Sequence, residues 1–207
     1  MEPDELERLR GKLERDEDRL LVDFLVASGL RVSEVIALDW SDVDLGQHRV
    51  SVSKRNYRGD LDRPKSTMSR RDVRISQRMA QRLWELRKSR DFVTDAHPVF
   101  TTLTGKRHQY GNLYHRTLTP AMRAAGIEYG GFHRLRHSCG TQLRRRGASL
   151  EEVQLHLGHE DLSFTRRVYV HLDASDGPNP ELLDDLAGCD GPKPEQTAAP
   201  IPLAAVS

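Results

Sequence analysis

The longest apolar run in this sequence, LLVDFLVASGL at residues 20–30, sets the first limit on what the chain can fold into. Asp23 interrupts the run, which is also shorter than the roughly 20 apolar residues that a membrane-spanning helix needs. The apolar residues around Phe24 recur at helical spacing, so the pattern predicts an amphipathic helix that ends at Gly29. Because 37% of the residues are hydrophobic and 30% are charged, we expect a globular domain with a packed core and no membrane partner.

Two further segments carry the alternation of polar and apolar residues that is typical of β-strands. They are HRVSVS at residues 48–53 and RRDVRIS at 70–76, and we expect them to pair as antiparallel strands. Residues 56–65, NYRGDLDRPK, contain Gly, Pro and Asp and are expected to form turns between the strands. The chain is therefore predicted to contain one small antiparallel sheet.

Helical spacing and capping residues predict that most of the remaining chain is α-helical, which makes the fold class α+β. Ser76 and Ser149 are suitable N-caps, Gly158 is a suitable helix stop, and Pro120 is expected to kink or restart the helix that contains it. The predicted helices cover residues 31–38, 77–90, 112–126, 131–147 and 150–157.

The chain is expected to consist of one domain, residues 1–176, followed by a C-terminal tail, residues 177–207. Pro, Gly, Ala and Asp dominate the tail, as is typical of segments without a packed core. Within it, PELLDDLA predicts a short helix at about 180–187 with its leucines on one face. Residues after Gly188 are expected to be disordered.

Cysteine content and the N-terminal residues indicate a cytoplasmic protein. The two cysteines, Cys139 and Cys189, do not have the spacing of a metal site or of a disulfide framework. The first ten residues, MEPDELERLR, are acidic and lack the apolar segment of a secretory signal.

Charge is distributed unevenly along the chain, although the formal net charge is only +1. Residues 24–172 hold 26 of the 32 basic and 15 of the 31 acidic residues, a net charge of +11, together with all nine histidines. A basic central region between acidic ends favours a polyanionic partner such as DNA or RNA. A solvated basic surface without such a partner explains the charge alone equally well.

The predicted helix at residues 131–147 begins with GFHRLRHSCGTQL, residues 131–143, which concentrates cationic and imidazole side chains. His133 and His137 have the spacing of two zinc ligands on a helix, but Arg134 occupies the position of the general-base Glu, and Arg136 adds a second positive charge. We therefore expect no metal at this helix. The structural alternative is a basic surface helix with a buried, hydrogen-bonded histidine.

Other segments add groups that can act on a phosphodiester. Arg31 and Glu34 are three residues apart on a predicted helix, where the carboxylate can orient the guanidinium. Lys65 lies in a turn-rich segment between the predicted strands, His159 follows a predicted helix stop, and Tyr169 comes ten residues later. Together with the 131–143 helix, these groups suit the binding and cleavage of a phosphodiester without a metal or another cofactor.

The motifs GLRVSE, RPKSTMSRRDV, HRLRH and LGH, followed by Tyr169, occur in the order that is typical of one family. The chain resembles the catalytic domain of the tyrosine recombinases, or phage integrases, over about residues 3–172. The resemblance implies a mostly helical catalytic domain at residues 1–176 that cleaves and rejoins DNA through a 3′-phosphotyrosyl intermediate.

Two positions depart from the usual family pattern. Arg134 stands where the family usually has Asp, and Gly140 stands where Ala is common. Neither change removes a reacting group. Family members usually carry an N-terminal DNA-clamping domain, which does not precede the catalytic segment in this sequence, so we expect a fragment or a short member.

The resemblance, combined with the charge that develops on phosphorus, implies a role for each site residue. Arg31 and Arg136 hold the non-bridging oxygens, and His159 donates one further hydrogen bond to them. Tyr169 is the nucleophile, and His133 is the candidate base that takes its proton.

The remaining site residues have supporting roles. Lys65 is the candidate acid that protonates the 5′-oxygen as it leaves. Glu34 and His137 are expected to orient the catalytic groups, and Arg134, Arg166 and Arg167 are expected to contact DNA.

The expected partners are double-stranded DNA recombination sites and further copies of the chain, as a homo-multimer, expected to be a tetramer, on DNA. Two other functions stay open from the sequence. A type IB topoisomerase uses nearly the same residues, and a catalytically silent DNA-binding regulator can share the fold.

Overall fold

The computed structural model of the chain describes residues 1–57, 60–62, 71–91, 93–128 and 130–158. Several sequence predictions lie outside these residues. They are the predictions for Lys65, His159, Arg166, Arg167 and Tyr169, for the tail at 177–207, and for its helix at 180–187.

Most of the described chain is helical, and short strands separate the third and fourth helices. The helices are α1 (Pro3–Arg10), α2 (Asp16–Ser28), α3 (Val32–Ala37), a 3₁₀ turn (Trp40–Asp42), α4 (Gln77–Lys88), α5 (Tyr110–Asn112), a π-helical segment (Leu113–Leu118), α6 (Thr119–Ala124), α7 (Gly131–Arg145) and α8 (Leu150–Leu157). The strands are β1 (Val43–Asp44), β2 (Arg49–Val52), β3 (Arg55–Tyr57), β4 (Asp60–Asp62) and β5 (Arg71–Arg74). None of the helices in the described ranges is long and apolar enough to cross a membrane.

Local sequence signals place the ends of the helices that frame the site. The α2 helix ends at Gly29, whose φ of 61° is in the left-handed region that favours glycine. The α8 helix begins at Ser149, whose side chain accepts the Glu152 backbone N–H at 3.0 Å, and ends at Gly158 with φ 65°. These boundaries confirm the predictions made from the serine and glycine positions.

The predicted strand pairing is confirmed, but the prediction for the segment between the strands is wrong. β2 and β5 pair antiparallel with Val50 opposite Val73, and β1 extends this sheet on the other side of β2. Within residues 56–65, which were predicted to form turns, β3 and β4 form a second antiparallel pair. The two strands hold each other by backbone hydrogen bonds and by an ion pair between Arg55 and Asp62 (3.4 Å), which stabilises them where intrinsic strand propensity is weak.

The predicted helix at residues 112–126 is divided as Pro120 requires. Proline has no backbone N–H to donate, so a regular helix cannot run through it unchanged. The chain forms the wider π-helical turn at Leu113–Leu118 and then restarts as α6, with Pro120 in the first turn. The prediction that Pro120 interrupts the regular helix is confirmed, although Leu118 and Thr119 at the boundary keep right-handed helical φ and ψ angles.

The core is built around α7, which packs against both α2 and α8. Leu135, Cys139 and Leu143 form an apolar stripe along α7 and are completely buried. Gly140 lets α8 approach closely, since a Cβ at this position would lie 3.2 Å from Leu157 Cδ1. This packing brings the C-terminal ends of α2 and α8 beside the N-terminal half of α7, where the cationic residues lie.

Candidate active site

Arg136 is the buried centre of the site. Its guanidinium donates one hydrogen bond to the carbonyl of Gly29, at the end of α2, and another to the carbonyl of Leu157, at the end of α8, at 2.6 Å. Carbonyl groups at helix C-termini lack partners in their own helix and carry the negative end of the helix dipole, so a cation stabilises them. Two helix ends therefore hold Arg136 in one orientation.

The surroundings of Arg136 disfavour its charge without removing it at neutral pH. Burial, followed by the positive charge of Arg31, lowers the pKa of Arg136 from 12.5 to about 10. The guanidinium stays protonated at neutral pH, and two of its five N–H groups are used by the two carbonyls. The remaining donors are available to an anion in the adjoining cleft.

Arg31 is the second cation, and Glu34 holds it from the first turn of α3. Arg31 Nη1 donates to Glu34 Oε1 at 3.1 Å, and the Arg31 backbone N–H donates to Glu34 Oε2 at 2.8 Å. Burial alone would raise the pKa of Glu34, but hydrogen bonds and charge from Arg71 and Arg31 outweigh this effect and lower it. The carboxylate is therefore ionised at neutral pH, and the predicted pairing of Glu34 with Arg31 is present in the structure.

Arg31, His133 and Arg136 line one cleft of about 530 Å³. They come from the start of α3 and from the first two turns of α7, which are remote in sequence. The structure thus brings together three of the six residues predicted to be catalytic. The other three, Lys65, His159 and Tyr169, lie outside the described residues.

An aromatic wall, which the sequence did not indicate as part of the site, completes the cleft. Tyr110 and Phe132 line it, with Tyr110 half-exposed. The Tyr110 ring stacks on Tyr114, with centroids 5.8 Å apart, and lies 5.7 Å from the ring of Phe132. The cleft therefore has a cationic side, suited to a phosphate, and an apolar side, suited to the neighbouring sugar or base.

His137 and Arg134 have surroundings that differ from those expected. His137 is exposed and is not among the residues that line the cleft. Arg134 Nη2 donates to both carboxylate oxygens of Glu5 in α1, at 2.8 and 3.0 Å. The supporting role of His137 and the DNA contact of Arg134 stay predictions. The Glu5 carboxylate accounts physically for an arginine at the position where the family usually has Asp.

Sequence reasoning missed two residues next to the site, the half-buried Arg71 and the buried His156. Both terminal nitrogens of Arg71 bind the Glu34 carboxylate. Because side chains alternate along a strand, Arg71 lies on the same face of β5 as buried Val73, and this alternation is the sequence signal that could have indicated an inward-facing arginine. His156 is buried on α8, and burial lowers its pKa from 6.5 to about 4. It is therefore neutral at pH 7.

Among the described residues, no group of three or more His, Cys, Asp or Glu side chains is arranged to hold a metal ion. The cationic and imidazole groups that line the cleft are the guanidinium groups of Arg31 and Arg136 and the imidazole of His133. Such a donor set is suited to a phosphate and is poorly suited to a metal cation.

A model described as the phage integrase family matches residues 1–176. The chain belongs to the phage integrase family. This match confirms the resemblance to tyrosine recombinases, and the structural neighbours confirm the predicted fold class.

The chain is similar to a curated tyrosine recombinase XerC-like protein of Caldanaerobacter subterraneus subsp. tengcongensis. The two are 31% identical over 195 residues, which cover 81% of this chain and 50% of the relative. The chain thus spans about half the length of this curated relative.

Among solved structures, the XerA recombinase has a TM-score of 0.61 and 27% identity, over 84% of this chain and 59% of that one. The XerH site-specific recombinase, whose structure is a pre-cleavage complex with its difH substrate, has a TM-score of 0.57 and 26% identity, over 82% of this chain and 49% of that one. Both similarities extend over the helical domain that holds the cleft.

Proposed function

We propose that this chain is the catalytic domain of a site-specific DNA recombinase that cleaves and rejoins DNA strands without a metal. The observation that carries the proposal is the convergence of Arg31, Arg136 and His133 on one cleft. Membership of the phage integrase family and the similarity to a recombinase solved with its DNA substrate support it.

The two arginines are proposed to stabilise the pentacoordinate phosphorus. Negative charge grows on the non-bridging oxygens as the nucleophile approaches, and permanently charged, planar guanidinium groups can bind these oxygens in a bidentate manner. Glu34 orients Arg31, and the carbonyls of Gly29 and Leu157 orient Arg136 before the substrate arrives. Such preorganisation lowers the reorganisation needed in the transition state.

Tyr169 is proposed to attack the phosphorus, with the bond to the 5′-oxygen breaking as the bond to the tyrosine oxygen forms. His133, which lines the cleft, accepts the phenolic proton, because an ordinary tyrosine with a pKa of about 10 is a weak nucleophile at neutral pH. Lys65 donates a proton to the leaving 5′-oxygen, and His159 donates a hydrogen bond to a non-bridging oxygen. The products are a 3′-phosphotyrosyl link and a free 5′-hydroxyl.

The covalent link retains the energy of the phosphodiester, so a 5′-hydroxyl of another strand can reverse the reaction without a nucleotide cofactor. The proposed partners are double-stranded DNA recombination sites and further copies of the chain, assembled as a tetramer on DNA. The proposed location is the cytoplasm.

The alternative functions make different demands on the same site. A type IB topoisomerase would rejoin the cleaved strand to its own original 5′-hydroxyl end, whereas a DNA-binding regulator would bind DNA without cleaving it. The proposed recombinase must both form the covalent link and join it to a different strand.

The proposal is tested with a pool of nicked duplexes of randomised sequence. Cleavage releases a short fragment that diffuses away, and because its 5′-hydroxyl is then lost, the covalent adduct cannot be reversed and accumulates. In buffer containing EDTA, the wild-type protein is expected to become covalently attached to a DNA 3′ end, and Tyr169→Phe is expected to bind DNA without an adduct. Tyr57→Phe, a change in β3, is the matched control and should retain the adduct.

Adding a separate duplex with a free 5′-hydroxyl to the trapped adduct then distinguishes the functions. Joining to that strand supports a recombinase. Relaxation of a supercoiled plasmid without joining would instead indicate a topoisomerase, and DNA binding without any adduct would indicate a regulator. An undiminished adduct in Tyr169→Phe would overturn the choice of nucleophile.

A further inference from the structure

Arg71, the first residue of β5, reaches across to α3 and binds Glu34 with both of its terminal nitrogens. Nη1 lies 3.1 Å from Oε1, and Nη2 lies 3.0 Å from Oε2. Both side chains are largely shielded from solvent, at 12% exposure for Arg71 and 8% for Glu34. A planar fork on a planar carboxylate fixes the rotation of the carboxylate as well as its position.

The same carboxylate holds Arg31 in the cleft. Between the two side chains, Arg31 makes a single hydrogen bond, from Nη1 to Oε1 at 3.1 Å. One such bond lets the carboxylate and the guanidinium turn relative to each other, whereas the Arg71 fork holds the carboxylate in place. The Arg71 fork, together with the Arg31 backbone N–H that binds Oε2 at 2.8 Å, thus fixes the carboxylate to which the Arg31 guanidinium is bonded.

Charge leads to the same conclusion. Arg31 and Glu34 alone would form a neutral pair, which attracts a phosphate only weakly. With Arg71, the cluster Arg31–Glu34–Arg71 has a net charge of +1, so part of the carboxylate's charge is balanced by Arg71 and more of the Arg31 charge acts on the cleft.

Arg71 also touches the end of α8. A Cβ on Gly158 would lie 2.6 Å from Arg71 Nε and 2.8 Å from its Cζ, and the Gly158 carbonyl accepts from Arg31 Nη2 at 3.4 Å. Arg71 thus joins the sheet to α3 and to the residue that precedes His159.

We propose that Arg71 is a positioning residue that acts through Glu34 to hold Arg31, and with it the cationic side of the cleft, in the orientation that binds the scissile phosphate. Arg71 is not among the residues that line the cleft, and both of its terminal nitrogens bind Glu34. The proposal rests on the proposed function, because it assigns Arg71 a part in the same reaction.

The first test measures single-turnover cleavage of a nicked duplex selected from the pool by the wild-type protein, at saturating protein. Arg71→Ala is expected to lower the cleavage rate constant by about 10²-fold, the loss typical of a misplaced catalytic group, with DNA affinity nearly unchanged. Arg71→Lys should recover part of the rate, because an ammonium keeps the charge but cannot form the fork. Arg49→Ala is the matched control, since it removes an arginine–carboxylate pair, with Asp72, from the same sheet.

A double-mutant cycle separates positioning from general destabilisation. In a Glu34→Gln background, Arg71→Ala should change the rate by no more than about twofold, because the route through Glu34 is already lost. Independent, multiplying effects of the two substitutions would overturn the proposal. An equal loss in Arg49→Ala, or a loss confined to DNA affinity, would also contradict it.

A second measurement requires neither activity nor the alanine variant to fold. In protein with ¹⁵N-labelled arginine, the Nη–H signals of Arg31 report rotation of its guanidinium, and this rotation should be faster in Arg71→Lys than in wild type. Unchanged rotation would overturn the positioning role. If the wild-type protein forms no adduct, the proposed function fails, and this measurement still decides whether Arg71 holds Arg31.

Discussion

His156 shows how one buried side chain links the stability of the site to pH. It lies in the last turn of α8 and is 6% exposed. Burial is the main cause of its lowered pKa of about 4; a hydrogen bond with the Ala27 backbone opposes the shift, and the charges of Arg71 and Arg136 add to it. A protonated imidazole would lie close to the positive charges of Arg71 and Arg136. The native site is therefore stable only when His156 is neutral.

The free energy of unfolding is therefore expected to decrease as the pH falls from 6.5 to 4. In this range an unfolded histidine binds a proton that native His156 does not bind, so the contribution is fully present above pH 6.5 and lost by about pH 4. A pKa difference between 6.5 and about 4 corresponds to roughly 3 kcal/mol. Urea unfolding at several pH values checks this loss.

In the same series, His156→Gln should show a shallower decrease of stability with pH. His97→Gln, a change at an exposed loop histidine, is the control for removal of a histidine as such. Equal slopes for wild type and His156→Gln would contradict the assignment.

The ends of α2 and α8 meet at α7, and glycine allows this close approach. Gly29 ends α2 with φ 61°, and a Cβ there would lie 2.5 Å from Leu157 Cδ2 and 3.0 Å from Cys139 Sγ. The carbonyl of the same glycine accepts from Arg136. Packing at this junction thus determines the position of the Arg136 guanidinium.

Gly29→Ala is expected to lower the free energy of unfolding by about 1–2 kcal/mol for the left-handed backbone and by about 1–3 kcal/mol more for the overpacking. Gly126→Ala is the matched control, because Gly126 has φ 66° and a Cβ added there would meet nothing within 4 Å. Urea unfolding of both variants separates the two contributions. Equal losses in the two variants would show that the junction adapts and that overpacking adds nothing.

At the scale of the molecule, α1 packs into the same core as the helices that form the cleft, so we expect it to unfold together with them. Leu6 and Leu9 are buried in the core, and Glu5 binds Arg134 of α7. Arg10 of α1 also pairs with Asp23 of α2, at 2.6 Å. These contacts connect the first helix to α7, which carries Arg136, and to α2, whose terminal Gly29 carbonyl accepts a hydrogen bond from Arg136.

Leu9→Ala is expected to lower the free energy of unfolding by about 2–5 kcal/mol, as is typical of a fully buried leucine. Because both tryptophans, buried Trp40 and half-exposed Trp84, lie outside α1, tryptophan fluorescence should report the same shift of the urea transition. Leu103→Ala, at a site that is 85% exposed, is the control and should change stability little. A shift seen by circular dichroism but absent from tryptophan fluorescence would mean that α1 unfolds separately.

Local chemistry in the sequence determined most of the elements and part of the site. Gly29 and Gly158 end helices because their positive φ values suit glycine, and Ser149 begins α8 because its hydroxyl binds a free backbone N–H. Arg31 and Arg136 could be predicted from the spacing of their motifs together with the family resemblance. The helix ends depend on residues within a few positions of one another, whereas Arg31 and Arg136 were identified through the order of motifs along the chain.

Only the tertiary structure decided which remote charges meet. Arg71 pairs with Glu34 from 37 positions away, and Arg134 pairs with Glu5 across 129 positions. The cleft wall of Tyr110 and Phe132, and the pairing of β3 with β4, likewise depend on how segments pack against one another. An ion pair or a ring contact between distant segments leaves no periodic pattern in the sequence, because the energy that selects it exists only once the core has brought those segments together.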